Sequence, residues 1–104
     1  RFVSEKEFRE QLGIKLQEQT WKVNFVTGPG RSGAIASVYV SHLLGVPWVP
    51  YGSKVPIELG KALIIDTARQ RGKTMRKAMA KYNTRFGFAV YQEPPRVRFW
   101  YEQN

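Results

Sequence analysis

The segment KALIIDTARQRGKT, residues 61–74, puts one carboxylate where chemistry can use it. Residues 62–65 are apolar and partly β-branched, which predicts a buried strand ending at Asp66. A carboxylate at a strand end can accept hydrogen bonds from the vicinal hydroxyls of a ribose. A polar loop, 67–73, follows and leads into a helical pattern from Thr74. The open N–H groups of a helix start favour an anion, so this loop and Thr74 suit a monophosphate.

A second candidate lies upstream. Residues 22–27 (KVNFVT) read as a strand that runs into Gly28-Pro29-Gly30-Arg31-Ser32-Gly33, and an apolar helix follows over 34–44, closed by Gly45. The loop fits G-x-G-x-x-G between strand and helix, the setting of a dinucleotide fingerprint. The next strand, however, ends in Pro50-Tyr51 and supplies no acid for an adenosine ribose. It is not a Walker A loop, because Ala34-Ile35 stand where Lys and Ser/Thr are required. The plainer alternative is a glycine turn into a packed helix. His42, the one histidine, falls inside that helix and reads as structural; no triad or histidine metal cluster can be built from it.

The elements that must position these loops follow from periodicity. Residues 4–19 predict an amphipathic helix with Phe8, Leu12 and Leu16 on one face. Ser4 and Glu7 fit a capping box there, and Val3 with Phe8 a hydrophobic staple. Residues 46–51 predict a short strand, 52–60 a loop, 74–82 a helix with Met75, Ala78, Met79 and Tyr82 inward, and 86–91 and 97–101 two further strands. The expected fold is α/β: a mainly parallel central sheet of four to five strands flanked by about three helices, in one domain spanning 1–104. The connection at 92–96 is too short for a parallel crossover, so the last strand either runs antiparallel or leaves the sheet. Both polar loops then lie at the carboxyl ends of strands, where open α/β sheets bind ligands.

On these residues the sequence resembles the type I phosphoribosyltransferases. Their hallmark is four apolar residues, two acids, a short Thr-rich loop, then Gly-x-Thr. Leu63, Ile64, Ile65, Asp66, Gly72 and Thr74 match it with the spacing kept. The resemblance covers about residues 20–102 and implies transfer of phosphoribose from phosphoribosyl diphosphate (PRPP) to a nucleobase. It implies a 5-phosphate and ribose site at Asp66, Thr67, Ala68, Arg69, Gln70, Arg71, Gly72, Lys73 and Thr74. It implies a pyrophosphate site at Gly28, Pro29, Gly30, Arg31, Ser32 and Gly33, joined by Lys54, with Asp66 and Arg31 in the catalytic roles. Trp100 and Tyr101 of the aromatic tail would stack on the base. Mg²⁺ would be held mainly by PRPP and water, with Asp66 the one protein ligand it could use. Three departures mark the chain: Thr67 replaces the second acid, Arg69-Gln70-Arg71 replaces the Thr-rich turn, and 52–60 is short for a mobile loop. These leave a second reading open, a PRPP-, nucleotide- or nucleic-acid-binding module with reduced turnover, and a third, an unrelated α/β interaction protein.

Charge supports an anionic partner. Of 104 residues, 17 are Lys or Arg and 8 are Asp or Glu, for a net +9, and residues 68–85 hold seven cations and no acid. Such a run is either a solvated face or a surface for nucleic acid across 69–85. No apolar run approaches the ~20 residues of a membrane span, and no leader pattern opens the sequence. The absence of cysteine is compatible with the cytoplasm. Exposed aromatics on so small a sheet favour a homodimer.

Overall fold

A computed structural model describes residues 1–18, 22–68, 72–92 and 97–102. Ser4 has extended backbone, and its Oγ accepts the N–H of Glu7 at 3.1 Å, which starts helix α1, Glu5–Gln17. Among the described residues the reciprocal half of the box, a bond from the Ser4 N–H to the Glu7 carboxylate, is not formed. Glu7 instead pairs with Arg1 at 2.9 Å and accepts from the Tyr91 hydroxyl at 3.0 Å. Val3 and Phe8 are both fully buried in one cluster, as a staple requires, with Leu12 beside them.

Strand β1, Phe2–Val3, precedes α1 and was not expected from the sequence. Strand β2, Phe25–Thr27, is shorter than predicted. The Asn24 side chain accepts the Lys61 N–H at 2.8 Å, and this bend delays the ladder until Phe25. Helix α2, Gly30–Leu44, follows and ends at Gly45 in the left-handed region (φ 69°). Residues 46–51 make one parallel bridge, Trp48 to Val26, instead of a strand. Pro47 and Pro50 carry no N–H with which to extend a ladder.

A 3₁₀ turn, Ile57–Leu59, leads to β3, Ala62–Ala68, then α3, Lys73–Lys81, β4, Gly87–Tyr91, and β5, Arg98–Phe99. The main sheet has the order β2-β3-β4 and is parallel throughout, with Thr27 opposite Ile64 and Asp66 opposite Ala89. It therefore has three strands and a bridge, not four or five. The final strand leaves it and pairs with β1 in a separate parallel ribbon, Val3 opposite Phe99. Residues 93–96, within the short connection, lie outside the described residues.

Two helices cover one face of the sheet and one covers the other. Phe8, Leu12, Ala36 and Val40 of α1 and α2 pack on Val26, Leu63, Ile65 and Val90. Met75 and Ala78 of α3 pack on Phe25, Ala62 and Ile64. The parallel register sends both β2–α2 and β3–α3 connections to the carboxyl edge, one on each face. Among the described residues no helix is long and apolar enough to cross a membrane.

Candidate functional site

At the end of β2 the chain turns through Gly28 straight into α2. A side chain on Gly28 would lie 2.3 Å from the carbonyl oxygens of both Gly33 and Ile65, and one on Gly33 would lie 2.7 Å from the Gly28 carbonyl carbon. These two glycines let the first turn of α2 press against β2 and β3. The helix begins four residues earlier than predicted, so residues 30–33 are its first turn and not a loop. The Gly33 N–H already donates to the Pro29 carbonyl at 3.1 Å. The N–H groups of Gly30, Arg31 and Ser32 stand outside the helix ladder, and the cap residue Pro29 offers them no side-chain acceptor. Arg31 is exposed beside them. Gly30 has φ 68° and open space around it.

At the end of β3 the predicted boundary shifts the other way. The strand runs through Asp66 and Thr67 to Ala68, because β4 continues to pair with it as far as Tyr91. Alternation places Asp66 on the α3 face with Ile64 and turns Thr67 to the α1/α2 face with Ile65. Asp66 is half-buried. Burial pushes its carboxyl pKa up, and the Thr67 N–H, donating to Oδ1 at 2.8 Å, draws it partly back. Residues 69–71, three of the expected phosphate ligands, lie outside the described residues. Gly72 resumes as the cap of α3 with φ 75°, a conformation glycine takes without strain, and it is buried. Lys73 and Thr74 follow, both exposed, in a first turn whose cap residue, Gly72, has no side chain to cap it. The helix thus begins at Lys73, one residue before the expected Thr74.

Each strand therefore delivers a helix N-terminus to the same edge, and Asp66 sits on the strand between them. No protein-family model matches the sequence, and no curated protein matches it. Solved structures do match the fold. The xanthine-guanine-hypoxanthine phosphoribosyltransferase of Helicobacter pylori superposes with a TM-score of 0.73 at 10% identity, over 98% of this chain and 91% of that one. A purine phosphoribosyltransferase of Pyrococcus horikoshii gives 0.70 at 18% identity, over 99% and 93%. An adenine phosphoribosyltransferase of Thermoanaerobacter pseudethanolicus gives 0.52 at 16%, over 90% and 67%. The chain has the fold of the type I phosphoribosyltransferases.

Within this phosphoribosyltransferase fold the remaining expected residues divide. The Tyr101 hydroxyl donates to Ser32 Oγ at 2.7 Å, and Thr67 is a second hydrogen-bond partner. Burial raises the Tyr101 pKa, and the ring stacks parallel on Phe99 at 5.5 Å. Tyr101 thus ties the first turn of α2 to the end of β3. Trp100 packs among Phe8, Tyr39 and Phe99 at 5.3–6.5 Å. Both tail aromatics are engaged in packing, in contrast to the open stacking faces the resemblance implied. Lys54 is not brought to the edge at all. It lines a cleft with Gly60, Lys61 and Tyr82, at the amino ends of the strands. A strand of seven residues separates the two edges by roughly 20 Å.

Sequence reasoning missed Thr27. It is fully buried at the carboxyl end of β2, and its Oγ1 has no hydrogen-bond partner among the described residues. The only available signal was a polar residue closing an apolar strand. Among the described residues no three His, Asp or Glu side chains are grouped to hold a metal.

The tail contact gives a first test. Tyr101→Phe keeps the ring stack and removes the hydroxyl that joins Ser32 to Thr67. The expected cost is about 1 kcal/mol, or a fall in Tm of roughly 4–8 °C. An unchanged thermal unfolding curve would show that the bridge does not hold the edge together.

Proposed function

We propose that the chain is a phosphoribosyltransferase that uses PRPP to convert a nucleobase, purines first among the candidates, to a nucleoside monophosphate with release of pyrophosphate. The observation that carries this is the half-buried Asp66 between two helix N-termini whose cap residues, Pro29 and Gly72, supply no capping side chain, in a fold whose solved neighbours are purine and adenine phosphoribosyltransferases. The ligand has two phosphate groups separated by a ribose. In this reading α3 receives the 5-phosphate through the residue 68–74 segment, with Gly72, Lys73 and Thr74 at the helix start. The first turn of α2 receives the pyrophosphate through the N–H groups of Gly30, Arg31 and Ser32 and the Arg31 side chain. Asp66 accepts from the ribose hydroxyls.

The bond between C1 and the pyrophosphate oxygen breaks as a base nitrogen bonds to C1. The leaving group carries away the electron pair, so the protein's main task is to stabilise charge on it. The donors fit that task, and no general base stands beside them among the described residues. Mg²⁺ chemistry fits as well: a hard cation that keeps its waters and the substrate's oxygens needs few protein ligands, and Asp66 is the carboxylate positioned to join them. Bound with PRPP, Mg²⁺ would supply positive charge to the departing pyrophosphate.

One observation favours the second reading, a binding module with little turnover. Thr67, which stands where the family has an acid, is 3% exposed and turned toward Tyr101, so it cannot serve the ribose as it is placed. Calorimetric titration with PRPP and Mg²⁺, against ribose 5-phosphate, separates these readings when followed by a screen of nucleobases for pyrophosphate release. Binding of PRPP tighter by about 10-fold or more, the added pyrophosphate contacts being charge-assisted, is expected. Equal affinities would remove the α2 turn from the site, and binding without release with every base would favour the module.

A further inference from the structure

The end of the molecule opposite the candidate site carries a basic surface that the proposed reaction does not use. The cleft at the amino ends of the strands, of about 450 Å³, is lined by Lys54, Lys61, Lys81 and Tyr82. A second cleft of about 420 Å³ shares Lys61 and Asn83 with it and adds Arg85. Lys77 lies one helical turn before Lys81, and both are exposed on α3. Rows four residues apart on a helix are spaced by about 6 Å. None of Lys54, Lys61, Lys77, Lys81 or Arg85 forms an ion pair with a described residue.

Aromatic rings are interleaved with these cations. Lys81 Nζ lies 6.0 Å from the centroid of Tyr51, and Lys61 and Arg85 approach the Phe86 ring at 5.4 and 5.3 Å. Tyr51 is 36% exposed and meets Tyr82 at 5.6 Å, while the Tyr82 hydroxyl accepts the Gly52 N–H and fixes the cleft wall. The contrast with α1 is informative. There the first 20 residues carry four acids among four cations, and Glu5–Arg9 and Glu7–Arg1 pair. A surface that served solubility alone would need neither concavity nor rings. An anionic membrane would need an apolar face beside the charge, and the most exposed apolar side chains, Phe2, Leu43 and Ile14, belong to the β1, α1 and α2 side.

We propose that this surface binds single-stranded nucleic acid, with phosphates tracking Lys77, Lys81, Lys61 and Arg85 and a base stacking on Tyr51. Cationic tracks ending at aromatic platforms are the means by which single strands are held without sequence readout. This is separate from the proposed PRPP site, which lies across the sheet.

The test is fluorescence anisotropy of a labelled oligothymidine and an oligouridine of about 12 nucleotides, over a salt series. Saturable binding is expected, with a slope of log K against log salt of about −2 to −3 for three or four phosphates. Lys77→Glu/Lys81→Glu should weaken it about 10-fold or more by removing two such contacts. Tyr51→Ala should weaken it about 10-fold at fixed salt and leave the slope unchanged. Circular dichroism checks that each variant folds, and the doubly charged variant, altered only on an exposed helix face, keeps the test decisive if Tyr51→Ala does not. Absence of oligonucleotide binding overturns the proposal. So does binding that heparin matches and Tyr51→Ala leaves unchanged, or association with phosphatidylserine vesicles in its place. Loss of oligonucleotide binding with PRPP titration intact in both variants separates this surface from the site at the other edge.

Discussion

Alanine in place of Gly28 is expected to destabilise the protein by about 3–5 kcal/mol, lowering Tm by roughly 15 °C or more. The reason is space and not backbone conformation. Its new methyl carbon would lie 2.3 Å from two carbonyl oxygens, one from Gly33 in α2 and one from Ile65 in β3. Both neighbours are backbone, fixed by a helix turn and by the central strand of the sheet, so neither can yield as a flexible side chain would. Gly30→Ala is the control. Gly30 has φ 68° but nothing within 4 Å, so its alanine bears only the left-handed backbone strain of about 1–2 kcal/mol. Urea unfolding of the two variants measures the difference directly. Equal losses would mean that Gly28 serves the turn and not the close approach of α2 to β3. Because that approach sets where the N–H groups of Gly30, Arg31 and Ser32 point, Gly28→Ala is also expected to remove PRPP binding in whatever fraction still folds.

The glycines illustrate how far local pattern reaches. G-x-G-x-x-G was legible as a strand-to-helix junction, and its outer glycines do sit there. Pattern alone could not distinguish a phosphate cradle from a packing contact, because the deciding neighbour, Ile65, lies 37 positions on. The helices were legible for a similar reason: Phe8, Leu12 and Leu16, and Met75, Ala78 and Met79, repeat with the helical period and are the residues buried or half-buried against the sheet. β1 was not, since two residues carry no period and their partners lie 96 positions on, Val3 opposite Phe99, whereas β5 falls inside the strand expected over 97–101 and leaves the main sheet, one of the two courses its short connection allowed. The end of β3 was misplaced because β4 decides it: Ala89 and Tyr91 hold Asp66 and Ala68 in the ladder past the point where apolar residues stop. Lys54 was placed with the phosphates on family order alone, and the short 52–60 segment keeps it at the other edge, beside Lys61 and Tyr82.

Asp66→Asn is expected to make the protein more stable near neutral pH while weakening the proposed PRPP binding. Burial raises the Asp66 pKa, and the Thr67 N–H only partly offsets this. A carboxyl whose pKa is higher folded than unfolded binds its proton more tightly in the native state. Its favourable contribution is complete in the acid range, below the unfolded value, and is lost as pH rises through the folded value. Near neutrality the ionised group is thus held in surroundings that disfavour its charge. Asparagine keeps the shape and carries no charge, so Tm should rise, on the order of 2 °C, with the gap closing toward acid pH. Ligand binding should move the other way. The amide offers one acceptor where the carboxylate offers two charged ones, and loss of charge-assisted bonds to the ribose hydroxyls lowers PRPP affinity about 10–100-fold. Thermal unfolding across pH, run beside calorimetric titration, reads both effects. Destabilisation near neutrality would instead make Asp66 a turn acid that serves the fold through its 2.8 Å bond from the Thr67 N–H. A gain in stability paired with a loss in affinity is what distinguishes a carboxylate kept for a ligand, since the folded chain alone is better off without its charge.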